Sequence, residues 1–403
     1  MADREFDLIV YGATGFTGRL VCEHILDRAP EGLRWALAGR SEDKLRGVAD
    51  DLGTDVPLVI ADSDDRASVE AMAARTRVVC TTVGPYALHG TSLVAACAEA
   101  GTDYCDLTGE VPWMREMIDT HQDAARRSGA RIVFSCGFDS IPSDLGTWFA
   151  QQQMMAHHAV HSPAVHMRLK AARGAASGGT VASMLNQVEA ATRDRETRRV
   201  LFDPWALQPA GERTGPGTSD AVMPTYDRDF DAWTGPFVMA MINLRVVRRS
   251  NALLGYPWGR EFRYDEAVLL GGGPLGAVKA GALTGAMGIG MAGLAVGPIR
   301  RLATRFLPSS GEGPSAEARR RGFFDIRLLA EHPTDRSKDV MVRVLGDRDP
   351  GYGSTAKMLG ESALSLAAGE SEVEGGMWTP ASALGQPLRD RLQRYAGVTF
   401  EVI

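Results

Sequence analysis

Three glycines at three-residue spacing, Gly12, Gly15 and Gly18, follow the apolar run Phe6-Asp7-Leu8-Ile9-Val10-Tyr11 and precede a stretch with Leu20, Val21 and Ile25 on one helical face. A strand, a tight turn and a helix in that order do one kind of chemistry well. The first glycine turns the chain, the second lets a diphosphate approach the main chain, and the third lets the helix pack on the strand. The helix N-terminus then offers free N–H groups and its positive dipole end to an anion. Gly12, Thr14, Gly15, Phe16, Thr17 and Gly18 are the expected diphosphate cradle. A plain tight turn is the bland alternative for three glycines; the strand before, the helix after and a second strand over 35–39 weigh against it.

The end of the second strand selects the cofactor. A site for NAD places a carboxylate there to accept from the ribose 2′-hydroxyl, but this chain has Gly39-Arg40-Ser41 with Lys44 one turn on. Arg40, Ser41 and Lys44 suit a 2′-phosphate, so NADP(H) is expected, against the alternative of an ordinary surface arginine.

The elements that must position these groups follow an α/β pattern: an N-terminal Rossmann doubly wound parallel sheet over 1–150 and a second α+β domain with a mixed sheet. Strands are expected over 56–60, 78–82, 103–106 and 131–135, and helices over 65–74, 91–100 and 114–128. Ligands of open α/β sheets sit beyond the carboxyl ends of the strands, so Asp62 and the run Thr82, Val83, Gly84, Pro85 and Tyr86 should face the cofactor. Asp62 suits an adenine amino group or a helix cap, and Gly84-Pro85 suits close passage of the nicotinamide ribose or simple punctuation.

The motifs Gly12-Ala13-Thr14-Gly15-Phe16-Thr17-Gly18, Ala38-Gly39-Arg40, Thr82-Val83-Gly84-Pro85-Tyr86, Tyr104-Cys105-Asp106-Leu107-Thr108-Gly109-Glu110, Cys136-Gly137-Phe138-Asp139-Ser140-Ile141-Pro142-Ser143-Asp144 and Gly375-Gly376-Met377-Trp378-Thr379-Pro380-Ala381 together resemble the saccharopine dehydrogenase-like oxidoreductases. Within them the chain is most similar to the trans-acting enoyl reductase branch, over nearly its whole length. The resemblance implies an NADPH-dependent reductase, cytoplasmic or membrane-associated, that serves polyketide synthases making cell-envelope lipids. It leaves the substrate open, since the wider family also acts on amino-acid-derived imines.

The middle of the chain, 151–350, is expected to be a substrate and dimerisation domain, with strands over 164–171, 238–247, 323–330 and 339–345 and a helix over 179–185. The 203–229 loop should cover the substrate side, and 351–403 should return to the Rossmann domain through a helix over 354–367. An apolar, glycine-rich insertion over 267–307 contains an uncharged stretch, 280–299, in which six of twenty residues are glycine. Arg300, Arg301 and Arg305 follow, then Arg319, Arg320 and Arg321, which suits peripheral contact of 280–305 with an anionic membrane surface or a lipid-bearing partner; a buried glycine-rich hairpin or a spanning helix is the alternative.

Composition narrows the partners. At 403 residues, 44% hydrophobic and 23% charged, the chain is neither disordered nor fibrous, and a net charge of −6 argues against nucleic acid. Five cysteines without a C-x-x-C pair suggest reduced thiols in a cytoplasmic protein, at most peripheral at the inner face of the plasma membrane. His157, His158, His161 and His166 lack the alignment and partners of a metal set, and Tyr352 and Lys357 are spaced one residue too far apart for Y-x-x-x-K chemistry. Donors and acids expected near the nicotinamide are Tyr86, His89, Tyr104, Asp106, Asp139, Ser140 and Thr180. The favoured substrate is an apolar small molecule or carrier-bound acyl chain, with a homodimer as the expected assembly. A saccharopine-type dehydrogenase and a non-catalytic NADP-binding scaffold are the alternatives.

Overall fold

A computed structural model of the chain describes residues 4–174, 178–212, 223–295, 297 and 313–403. The first sheet contains β1 (Phe6–Tyr11), β2 (Trp35–Gly39), β3 (Leu58–Ile60), β4 (Thr76–Thr81), β5 (Asp103–Cys105) and β6 (Arg131–Val133). Its order is β13-β6-β5-β4-β1-β2-β3, where β13 (Gly376–Trp378) comes from near the chain's end, and every pairing is parallel. Alternate residues of β1 enter different cores, Leu8 and Val10 on one face and Ile9 and Tyr11 on the other, because successive strand side chains point to opposite faces. Both faces are therefore covered, as a parallel sheet requires.

Helices α1 (Phe16–Arg28), α2 (Glu42–Leu52), α3 (Arg66–Arg75), α4 (Tyr86–His89), α5 (Thr91–Ala100) and α6 (Val111–Ser128) alternate with these strands. The six strands read over 1–150 become seven because β13 adds to the edge on β6. Its three residues carry too short a pattern to be recognised without the partner strand.

The second sheet, in the order β14-β12-β11-β7-β10-β9-β8, is mixed. It comprises β7 (Ala164–Arg173), β8 (Thr225–Asp227), β9 (Ala232–Gly235), β10 (Arg263–Leu269), β11 (Phe323–Ala330), β12 (Val340–Gly346) and β14 (Val398–Val402). Strict alternation of burial along β12 gives it one covered and one open face. Helix α7 (Ile141–His158) leads into this sheet, and the core cluster containing Leu8 and Val10 continues without a break to Met167, Tyr264 and Phe324. The remaining helices are α8 (Gly178–Arg193), α9 (Arg195–Phe202), α10 (Ala240–Leu253), α11 (Gly273–Ala295), α12 (Ala316–Arg320), α13 (Thr355–Ala367) and α14 (Pro380–Arg391). Helix α13 packs on α1 and β4, so the end of the chain touches both sheets: α13 and β13 lie on the first, β14 in the second.

One expected strand is a helix. The segment 238–247 alternates apolar and polar residues, yet 240–253 form α10. Burial explains the discrepancy: Ile242, Leu244, Val246 and Val247 are buried, but so are Asn243, Arg245, Arg248 and Arg249, and a helix enclosed on all sides has no periodicity to read. All five cysteines are buried free thiols, and burial pushes those of Cys22, Cys97, Cys105 and Cys136 up. The arginines Arg300, Arg301 and Arg305 fall outside the described residues.

Candidate active site

At the nucleotide end the work is done by backbone. Gly12 has φ +90°, a conformation open to glycine, and the Gly15 N–H donates to its carbonyl at 2.9 Å. A Cβ on Gly18 would lie 2.1 Å from the Gly12 oxygen, so this close approach of α1 to β1 admits only glycine. A Cβ on Gly15 meets only that oxygen, at 3.3 Å, leaving the space before the turn open. The α1 N-cap, Gly15, carries no side-chain cap, which leaves first-turn N–H groups for an anion. Thr17 and Thr82 line the adjoining cavity, and the Thr82 hydroxyl donates to the Gly12 oxygen at 3.3 Å.

Arg40 stands exposed just past the end of β2, beside Ser41, whose hydroxyl caps α2 by accepting from the Lys44 N–H at 3.5 Å. The cap of α3 is Asp65, accepting from Ala67 N–H; Asp62 instead accepts from Asp64 N–H at 3.1 Å in the turn after β3. The uncapped cradle and the exposed Arg40 fit a dinucleotide with a 2′-phosphate.

Beyond β4 the chain runs through Thr82 and Val83 to a cis Gly84-Pro85 peptide and into α4. The fully buried carboxylate of Glu110 holds this turn, accepting from Tyr86 N–H at 2.8 Å and Ala87 N–H at 2.9 Å. It also accepts from the Ser183 hydroxyl of α8 at 2.7 Å. One carboxylate therefore ties the turn after β4 to α8. Glu110 closes a motif that carries the family resemblance, but its three bonds depend on residues 23, 24 and 73 positions away and leave no local signal.

A cavity of about 440 Å³ opens against Thr82, Gly84 and Tyr86. Its walls are Val111 of α6, Met184 and Val188 of α8, Leu201 of α9, and Met239 and Ile242 at the start of α10. Asp139 and Arg198 are its charged lining groups among the described residues, and Arg198 is exposed. The volume is that of a small-molecule site, and the lining suits hydrocarbon.

Four buried arginines hold the segment after α9 in place. Arg245 donates to the carbonyls of Leu201 and Asp203, Arg248 to Pro204, Arg249 to Leu207, and Arg115 to Ala206 and Gln208. Burial, with the charges of Arg115 and Arg126, lowers the Arg249 guanidinium to about 9. These cations point at carbonyl oxygens, which is structural work.

The expected donors separate in space. The Tyr86 ring lines the cavity, but its hydroxyl is spent, donating to the Thr81 carbonyl at 3.3 Å and accepting from Leu107 N–H at 3.1 Å. Tyr104 is buried with its hydroxyl donated to Asp106 at 2.8 Å. Asp106 accepts further from Thr108 N–H at 3.1 Å and Ser135 N–H at 2.9 Å, and burial raises its carboxyl to about 7. Ser140 donates to the Asn243 side chain at 3.0 Å in the core. His89 sits by Ser63, 3.3 Å away, past the end of β3. Asp139 alone of the expected acids lines the cavity, together with the unforeseen Ser183, Gln187 and Thr355. Thr180 belongs to the first turn of α8, and its side chain lies outside the described residues.

Comparison with known proteins agrees with this geometry. Residues 8–133 match the saccharopine dehydrogenase NADP-binding domain. The apo saccharopine dehydrogenase of Saccharomyces cerevisiae superposes with a TM-score of 0.53 at 11% identity, over 98% of this chain and 99% of that one, and so shares the fold. The molecule is a two-domain NADP-dependent oxidoreductase. A trans-acting enoyl reductase of Mycobacterium tuberculosis is 40% identical over 406 residues, covering 97% of this chain and 96% of its own. A second relative from that organism, provisionally given the same name, is 41% identical over 413 residues, 99% of this chain and 97% of its own. The chain belongs to the family of these proteins.

Proposed function

We propose that the protein uses NADPH to reduce the enoyl double bond of a long-chain acyl or polyketide intermediate, working in trans for a polyketide synthase in lipid assembly. The observation that carries this reading is the apolar cavity beside Thr82, Gly84 and Tyr86. A saccharopine-type substrate has several carboxylates and needs convergent cations, and the cavity wall supplies hydrocarbon from Val111, Met184, Val188 and Ile242 instead. The names of the mycobacterial relatives point the same way.

Bound NADPH supplies a hydride for the β-carbon of such a substrate. The residues of the chain do the rest. The glycine turn and Arg40 fix the nucleotide, and Glu110 fixes the turn 84–87 against α8 so that cofactor and acyl chain meet in a constant geometry. The methionine and aliphatic walls exclude water. Asp139 is the acidic group on the wall from which a proton reaches the α-carbon.

The test is NADPH oxidation by the purified protein with a series of trans-2-enoyl thioesters of rising chain length. Turnover with kcat/KM increasing along the series is expected, and Asp139→Asn should lower kcat. No oxidation with any enoyl thioester, together with turnover of an amino-acid-derived imine, would overturn the assignment.

A further inference from the structure

Helix α11 is 23 residues long, or about 34 Å at the usual rise per residue, close to the thickness of a bilayer's hydrocarbon. Along one side it packs on β9 and α8, with Gly276 and Ala280 buried and Leu283 against Gly235. Little else covers it among the described residues: 12% of its most apolar stretch is buried. Leu275, Val278 and Ile289 are 66%, 67% and 77% exposed and fall on one face at the helical period, with Ala282 and Ala286 exposed as well. Lys279 is the helix's one charge. The outward face of a helix bathed in water carries charged and polar groups, and a helix apolar on both sides needs an apolar medium on both.

We infer that the exposed face of α11 inserts into a lipid surface, the helix lying in the interface plane as a monotopic anchor. The chemistry of the face argues for hydrocarbon over protein. Stable protein contacts centre on aromatic or arginine anchors seated in pockets, and α11 has no aromatic residue and no arginine. Scattered aliphatic side chains among alanine and glycine fit fluid acyl chains, which need no shape complement. Lys279 reaches the headgroups by extending its stem along the apolar face. The inner side of α11 touches α8, which forms the cavity wall through Met184 and Val188. The lipid surface and the cavity would thus lie on either side of α8, one helix apart, a short path for a lipid-held acyl chain should α8 shift. Only that path rests on the enoyl reductase reading; the lipid contact rests on the exposure of α11.

The experiment is flotation of the full-length protein, with NADP present, on vesicles of phosphatidylcholine and phosphatidylglycerol. The parent should float, and the combined Leu275→Ser, Val278→Ser and Ile289→Ser variant should partition about tenfold or more weaker while its thermal midpoint stays unchanged, since these side chains already face outward. Ile289→Trp should show a blue-shifted emission on adding vesicles, quenched by brominated acyl chains. This keeps the test decisive should the triple variant fold poorly. A parent that does not float overturns the inference, as does a triple variant that floats equally well. So does a parent dimer that the triple change dissociates, with the Ile289→Trp variant already blue-shifted before vesicles are added, because a second copy then covers the helix. NADPH oxidation with a short soluble enoyl thioester is measured on the same preparations. If that reaction fails while flotation succeeds, the proposed reaction is wrong and the lipid contact stands.

Discussion

The two ends of the cleft are built on opposite principles. At the nucleotide end, a few consecutive residues between Tyr11 and Arg19 present backbone N–H groups and make room by lacking side chains. At the cavity end, side chains from α6, α8, α9 and α10 enclose a volume, and buried arginines pin the adjoining loop by its carbonyl oxygens. A diphosphate is recognised by directional donors that one tight turn can aim. A hydrocarbon chain is recognised by the absence of water, which takes several elements at once. Glu110 joins the two ends.

The largest effect should come from Gly15→Val. Its φ is ordinary and the new Cβ meets only one oxygen at 3.3 Å, so the fold should survive while the side chain occupies the diphosphate's place. Loss of detectable NADPH binding in calorimetry with an unchanged circular dichroism spectrum is the expected result; retained affinity would put the diphosphate elsewhere.

Asp106 is buried just past β5 among Tyr104, Thr108 and Ser135, and its carboxyl is raised from 3.8 to about 7 by burial. A raised acid binds its proton more tightly when folded, so its contribution is complete below about pH 4 and disappears as pH climbs through 7. Stability should therefore fall across that window by up to about 1.4 kcal/mol per pH unit. Asp106→Asn, which imitates the protonated acid, should flatten that slope in urea melts at several pH values, and an unchanged slope would show that the carboxyl is ionised throughout.

Glu110→Ala leaves the Tyr86 and Ala87 N–H groups and the Ser183 hydroxyl without their acceptor, at a cost of about 3 kcal/mol. Because it joins the two ends, the change should weaken NADPH binding and raise KM for the acyl substrate together. If only one of the two responds, the ends are independent.

Arg40→Ala should weaken NADPH by about 1.5–3 kcal/mol, the range for a charge-assisted hydrogen bond, and leave NADH nearly unaffected. Equal losses for both would remove Arg40 from the 2′-phosphate. The smallest effect belongs to the acyl wall: Met184→Ala should cost about 1 kcal/mol in kcat/KM for the longest enoyl thioester and little for the shortest. A uniform loss along the series would place the chain away from α8.

What is legible in the sequence divides along the same line as the cleft. The turn 12–18, the alternation of strands and helices up to β6, Arg40 after the second strand and the helix expected over 354–367 are written in local spacing, and local spacing is enough because strand, turn and helix form from neighbouring residues. Helix α10 reads as a strand because its arginines and asparagines look like a strand's polar half; the carbonyls of 201–208 and Met377 for the arginines, and Ser143 and Glu266 for Asn243, make them tolerable inside. Tyr86 and Tyr104 are plausible donors by type, but tertiary contacts have already used their hydroxyls. The seventh strand, the bonds to Glu110 and the cavity needed the folded chain. Each joins residues far apart in sequence, and neither a buried carboxylate's partners nor an enclosed volume exists until those residues meet.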